Sequence, residues 1–232
     1  MTALLILLAV VAVCVTLYTP NISAALLEAR YAQVPSRFLR ASMQRIHYRD
    51  TGPADAPVIV MLHEICSDLH TWDGWAEALS EQYRVIRYDM PGFGLTGPDA
   101  ETDYTTLRTL TVLASILDML CVRRAILVGN ALGGRIAWQF AARFPERVEK
   151  LVLVAPRHPL DVKWPLLTVW QRTLLPVVLP AWFVRRTLRE AWGDPRRLTD
   201  ATVARYHDLL RRPGVRRGLS ARSILLVMNL RE

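Results

Sequence analysis

The chain has 232 residues, 52% hydrophobic and 22% charged, which is enough apolar material for one sizeable core and unlike a disordered or collagen-like polymer. Three cysteines, Cys14, Cys66 and Cys121, form an odd set without ligand-like spacing, which excludes a disulfide framework or a zinc knuckle as the organising principle. The net charge of +8 is uneven: residues 1–156 carry 14 basic and 15 acidic side chains and residues 157–232 carry 15 and 6, so the excess lies in the last third. There the arginines interleave with Trp164, Trp170, Trp182, Trp192 and aliphatic runs. That mixture suits a solvated helix face or a helical surface near lipid, and no nucleic-acid motif or partner goes with it.

Met1 to Leu27 contains no charged side chain, and Ala3 to Leu17 is aliphatic apart from Thr16. This approaches the roughly 17–25 residues that a spanning helix needs. Residues 1–20 therefore read as a transmembrane anchor, with Tyr18 as an interfacial aromatic and Pro20 and Asn21 as its stop. The rival is a signal peptide cleaved near Ser23-Ala24-Ala25, giving a secreted or periplasmic product, although no Lys or Arg precedes the apolar run. The expected location is a membrane, as a single-pass protein of a bacterial inner membrane. Arg30, Arg37 and Arg40 after the segment favour a cytoplasmic body.

Residues 21–42 read as a connector, amphipathic from Leu26 to Ser42. Beyond it, apolar runs of strand length alternate with helix-length amphipathic stretches, the pattern of an α/β protein with a mostly parallel sheet flanked by helices. Strands are predicted at Arg45–Asp50, which would form the sheet edge, and at 57–63, 83–89, 124–128 and 150–154. Helices are predicted at 72–82, 104–120 and 132–144, the last closed by Pro145. Residues 43–156 form the predicted core. Residues 157–232 form a helical cap region divided by Pro165, Pro176, Pro180 and Pro213.

The informative junction is Ala125-Ile126-Leu127-Val128-Gly129-Asn130-Ala131-Leu132-Gly133-Gly134, where an apolar strand turns into a helix between glycines. This is the spacing of a nucleophile elbow, G-x-S-x-G, which lifts one side chain above the sheet and aims the next helix's amino end at developing negative charge. With LHEICSDLHTWDGW, YDMPGFGLTG and FPERVEKLVLVAP, the junction resembles the α/β-hydrolase superfamily over about residues 43–156. The wording is most similar to capped serine hydrolases related to epoxide hydrolases, haloalkane dehalogenases and carbon-carbon bond hydrolases.

The resemblance implies a nucleophile at residue 131, oxyanion-hole amides from Leu132 and Ile65, and no metal or organic cofactor. It also places His63, Glu64, Gly129, Asn130 and Gly133 in the loops around the pocket. Three departures follow. Residue 131 is alanine, which has neither an oxygen to bond a carbonyl nor a proton for a base. Glu64 stands where the family pattern has glycine. There it either strains the loop and opposes an oxyanion by charge, or turns to solvent while the loop adapts. The family's late acid and histidine have no counterpart before residue 232; His158, Asp161 and His207 lie in the cap region.

Cys66 lacks a base and reads as structural, as does His63. The expectation is an α/β-hydrolase-type chain whose lineage hydrolyses ester-like or similar apolar small molecules, inactive as written. The alternative is a noncatalytic binding or scaffold protein on the same fold. Trp164, Trp170 and Trp182 would line an apolar cap, and the 150–154 strand would be an open sheet edge, to be completed by a partner or a second copy.

Overall fold

The structure, a computed structural model, describes residues 17–156, 174 and 176–228, without the side chains of 223–228. Its sheet has the order β1-β2-β4-β3-β5-β6. The strands are β1 (Arg37–Ala41), β2 (Gln44–Thr51), β3 (Val58–Leu62), β4 (Arg84–Tyr88), β5 (Ala125–Asn130) and β6 (Val148–Val154). The pairs β3·β4, β3·β5 and β5·β6 are parallel, whereas β1·β2 and β2·β4 are antiparallel. The central strands, VIVML and AILVGN, are almost wholly buried, as parallel strands covered by helices on both faces must be.

Helices α1 (Ala24–Tyr31), α2 (Asp73–Leu79), α3 (Thr106–Met119), α4 (Leu132–Arg143), α5 (Ala181–Ala191), α6 (Asp200–Leu210) and α7 (Val215–Met228) complete the described elements with short 3-10 turns. In α3 the Thr105 hydroxyl accepts from the Arg108 amide as N-cap, and Leu110, Leu113 and Leu117 recur on the buried face. α4 stops at Arg143 because Pro145 disfavours helical geometry in the residue before it.

The sequence-derived connector is a correction. Residues 21–42 contain a helix, α1, and the edge strand β1, so the strand expected at Arg45–Asp50 lies one place inside the edge. Ser42 and Met43 both have positive φ, 45° and 64°, and form a two-residue hairpin loop between β1 and β2. Both residues of such a turn are left-handed, which is why Asn-Gly normally marks it; Ser-Met carries no such signal. Leu27 is fully buried and packs in a cluster with Ile22, Leu95 and Leu209, so the segment belongs to the folded body.

The cap region also shares the core. Val184, Leu188, Val203, Tyr206, Leu210, Val215 and Leu219 join one apolar cluster with Leu62, Leu113, Leu132 and Phe140. Trp182 does not line that interior: it is 63% exposed, beside Phe183. Trp164, Trp170, His158 and Asp161 lie outside the described residues. β6 is the far edge of the described sheet, with Leu151, Val152 and Leu153 37–40% exposed. Among the described residues no helix is long and apolar enough to cross a membrane. Residues 1–16 of the expected anchor lie outside the described residues.

Two buried carboxylates hold the loops above the sheet. Asp89 accepts from the amides of Leu69 (2.7 Å) and Leu95 (2.6 Å) and pairs with His47 Nδ1 at 2.8 Å. Asp68 pairs with His70 Nδ1 at 2.7 Å and with Arg205 Nε at 3.2 Å, tying the loop after β3 to α6. Burial works against both charges, but His47 outweighs it at Asp89, and His70 with Arg205 outweighs it at Asp68, so both carboxyls titrate below the usual range. A carboxyl depressed on folding contributes stability above its unfolded pKa, about 3.9 for Asp, and loses that contribution as pH falls through the folded value. The melting temperature should therefore fall steeply below about pH 4. In a series of melts against pH, Asp68→Asn should start lower at pH 7 and show a shallower acid slope; an unchanged slope would remove Asp68 from this account.

Candidate functional site

The elbow is set by how closely its backbone crosses itself. A Cβ on Gly129 would lie 2.4 Å from the Gly133 carbonyl oxygen, and one on Gly133 would lie 2.2 Å from the Leu62 oxygen and 2.7 Å from the His63 oxygen. Only glycine permits this approach of β5, α4 and the loop after β3. Between these glycines Ala131 takes φ 46° and ψ −104°, a conformation that costs an L-residue about 1–3 kcal/mol. Its amide donates to Val154 O and its carbonyl accepts from Arg135 N, each at 3.0 Å, which pins residue 131 between β6 and the first turn of α4.

Each residue singled out from the sequence has a definite place. Asn130 ends β5, half-buried, opposite Val154. Leu132 opens α4 and is buried, and the first amides of a helix lack intrahelical acceptors. Ile65 is half-buried, packed against the main core from the loop after β3. Gly133 brings that loop against the start of α4, so the segments that carry Leu132 and Ile65 come together there.

His63 has no capacity left for proton transfer. Its Nε2 accepts from the Met90 amide at 3.0 Å, so Nδ1 bears the hydrogen and donates to Glu64 O at 2.7 Å. Burial pushes its pKa down, which keeps it neutral. The other described histidines are also engaged: His47 with Asp89, His70 with Asp68, and His207 with the Leu179 carbonyl.

The strain expected at Glu64 is not there. Glu64 is half-buried with φ outside the left-handed region, and the left-handed residue of the loop is Cys66, at φ 61°. The loop has thus absorbed the side chain by turning two residues later. Desolvation, with the Glu64 carboxylate adding to it, pushes the Cys66 thiol up to about 12, so Cys66 stays protonated and unreactive. Among the described residues no cluster of His, Cys, Asp or Glu could hold a metal ion. A shallow groove of about 510 Å³ between α3 and α4, lined by residues including Leu107, Trp138 and Gln139, draws no lining residue from the elbow itself.

A strained residue at a strand-to-helix turn, flanked by glycines on a sheet of order β1-β2-β4-β3-β5-β6, now has a family context. The profile described as alpha/beta hydrolase fold matches residues 57–189, more than half of the chain. The chain belongs to the alpha/beta hydrolase fold family. It is similar to Epoxide hydrolase 1 of Caenorhabditis elegans, 28% identical over 138 residues, 59% of this chain and 34% of that one. It is also similar to the 2-hydroxy-6-oxononadienedioate/2-hydroxy-6-oxononatrienedioate hydrolase of Burkholderia vietnamiensis, 40% identical over 117 residues, 47% of this chain and 39% of that one. The chain thus spans less than half the length of these relatives.

Among solved structures, a hydrolase from Pseudomonas aeruginosa PA01 superposes with a TM-score of 0.65 at 28% identity, over 84% of this chain and 72% of that one. The epoxide hydrolase CorEH, at 19% identity and a TM-score of 0.71 over 86% of this chain and 76% of that one, shares the fold. In this alpha/beta hydrolase chain Arg135, a charged residue on the otherwise small and apolar first turn of α4, is buried, as is Arg222 on α7.

The elbow geometry predicts opposite outcomes for two small substitutions. Gly133→Ala should destabilise by about 3 kcal/mol or more, because backbone oxygens cannot yield as flexible side chains do. Ala131→Gly, normally a loss of about 0.5–1 kcal/mol in a regular element, should be neutral or stabilising because it relieves the left-handed strain. Denaturant midpoints of the two variants test both signs.

Proposed function

We propose that this chain is a membrane-held alpha/beta hydrolase that keeps the elbow and its binding surroundings but has given up nucleophilic catalysis. The observation that carries this reading is the methyl group of Ala131 at the one position where the elbow presents a side chain for attack. It offers no atom to form an acyl or alkyl intermediate. Backbone amides at the start of α4 would still stabilise an oxyanion-like or carbonyl ligand, the part of such sites that survives loss of the nucleophile. The Glu64 carboxylate in the facing loop works against that stabilisation. The lineage chemistry is hydrolysis of small molecules, which the names of the hydrolase relatives support, and what this chain retains of it is binding. The open side of β6 is where a further strand, from a partner or a second copy, would add.

The test is covalent labelling. The full chain should take no label from a fluorophosphonate probe and should turn over 4-nitrophenyl butyrate no faster than its Ala131→Gly variant. Labelling of the unmodified chain would overturn the reading. Turnover gained by Ala131→Ser would identify an enzyme silenced at one atom and overturn the noncatalytic binding or scaffold reading.

Support for membrane attachment comes from the charge-free stretch 1–27 and from the surface where the chain emerges from it. Tyr18 pairs with Val178 there, and Tyr18, Leu174, Val177, Trp182 and Phe183 are all 41–63% exposed. Arg185, Arg186 and Arg189 follow on α5, a combination of aromatic and basic side chains suited to a lipid headgroup layer. The full chain expressed in a bacterium should stay with membranes through a sodium carbonate wash; release by that wash would refute the anchor.

A further inference from the structure

Directly after the aliphatic run that ends at Leu17, the chain is fastened to the cap region. The Thr19 amide donates to Val177 O at 2.8 Å, and the Thr19 hydroxyl accepts from the Leu179 amide at 2.9 Å. Arg216 Nη2 donates to Thr19 O at 2.8 Å and to Asn21 Oδ1 at 2.7 Å, and Arg211 Nε donates to Pro20 O at 2.8 Å. Thr19, Leu179 and Arg216 are buried, so water does not compete for these bonds. The place where the charge-free stretch meets the folded body is therefore fixed, and it lies two residues before α5 begins at Ala181.

α5 has two unlike sides. At about 3.6 residues per turn its buried pair, Val184 and Leu188, faces one way, toward α6, while Trp182, Arg186 and Arg189 form a row on the other, with Phe183 beside it. The row is graded along the helix. Its aromatics occupy the first turn, next to the Tyr18–Val178 pairing, and its arginines the second and third. Trp182 and Phe183 pack edge to face at 6.0 Å, yet both stay exposed. The Arg186–Glu190 pair, at 3.0 Å, is open to solvent and binds Arg186 only weakly. Residues 181–200 carry five arginines against Glu190, Asp194 and Asp200, so this face is positive.

Apolar rings next to the end of an aliphatic run, with guanidinium groups one and two turns further along, match the depth profile of a lipid interface. Aromatic rings sit at headgroup level there, and arginine lays its stem on apolar surface while its charge reaches the phosphates. We propose that the outer face of α5 rests in the headgroup layer of an anionic membrane, with Trp182 and Phe183 reaching the acyl boundary and Arg186 and Arg189 on the phosphates. The cap region is then the side this protein turns to the bilayer. This rests on the reading that the chain is membrane-held, and it names the surface in contact and the charge of the lipid.

The experiment is tryptophan quenching in the full chain, reconstituted in vesicles of brominated phosphatidylcholine with and without phosphatidylglycerol. Trp182→Phe keeps a ring but removes an emitter, so it should lose part of the bromine-quenchable emission. Trp75→Phe should lose none: Trp75 is also exposed, but α2 packs on the Ile59 and Met61 side of the sheet, away from the cluster that α5 joins. Phosphatidylglycerol should deepen the quenching of Trp182, and Arg186→Gln with Arg189→Gln should abolish that increase. Quenchable emission unchanged by Trp182→Phe, an equal loss in Trp75→Phe, or a phosphatidylglycerol effect that survives the double variant would overturn the proposal. Trp182 emission unquenched by bromine and also shielded from acrylamide would overturn it too, by giving the face to a protein partner such as a second copy. A chain retained through the carbonate wash with Trp182 unquenched keeps the anchor and loses this contact. One released by the wash but quenched at Trp182 keeps the contact and loses the anchor, so the two fail separately.

Discussion

The structure depends on one close crossing of backbones. Where β5 ends and α4 begins, the chain passes near enough to itself and to the loop after β3 that side chains are excluded at Gly129 and Gly133. That contact sets the height of α4 over the sheet, and with it the position of Leu132, Ile136 and Phe140 in the main core. It also forces Ala131 into the left-handed region, because the direction change from strand to helix must occur within a single residue. The cost at Ala131 is borne by the surrounding packing: the amide bond to Val154 and the burial of α4 against β3, β5 and β6 leave residue 131 no other conformation.

Above the sheet, polar groups replace apolar packing as the means of fixing the loops. Asp89 gathers two backbone amides and a histidine, and Asp68 one amide and a histidine, in places sealed from water, where a satisfied hydrogen bond is strong and an unsatisfied one expensive. Asp89 joins the loop after β4 to the 3-10 turn before α2, and Asp68 joins that turn to α6. His63 bridges the same two loops in neutral form, between the Met90 amide and the Glu64 carbonyl. The loop that carries Ile65 is therefore held by hydrogen bonds that do not involve residue 131.

Much of this was legible in the sequence, for reasons that differ by element. β3 and β5 announce themselves as apolar runs bounded by turn residues, and the glycine spacing of the elbow is visible because glycine alone tolerates the crossing. β1 was missed because RFLRA at a sheet edge has no strong alternation and its hairpin turn uses Ser-Met. α1 was missed because its few buried contacts, chiefly Leu27, leave little periodicity to read. Trp182 was read as a lining residue from its type alone, yet helix orientation turns it outward. At Glu64 the sequence leaves strain and an adapting loop both open, and the structure shows positive φ at Cys66 and none at Glu64.

The geometry of a catalytic elbow and its chemistry are separable. Strain at the turn is commonly taken as a sign of catalytic preorganisation, and it is inferred properly from an observed outlier toward function. Here the outlier is present and the reacting atom is absent, so the strain needs another explanation, and the glycine contacts provide one: the turn is a condition of folding. Relaxing that backbone would unpack α4, whatever side chain stands at residue 131.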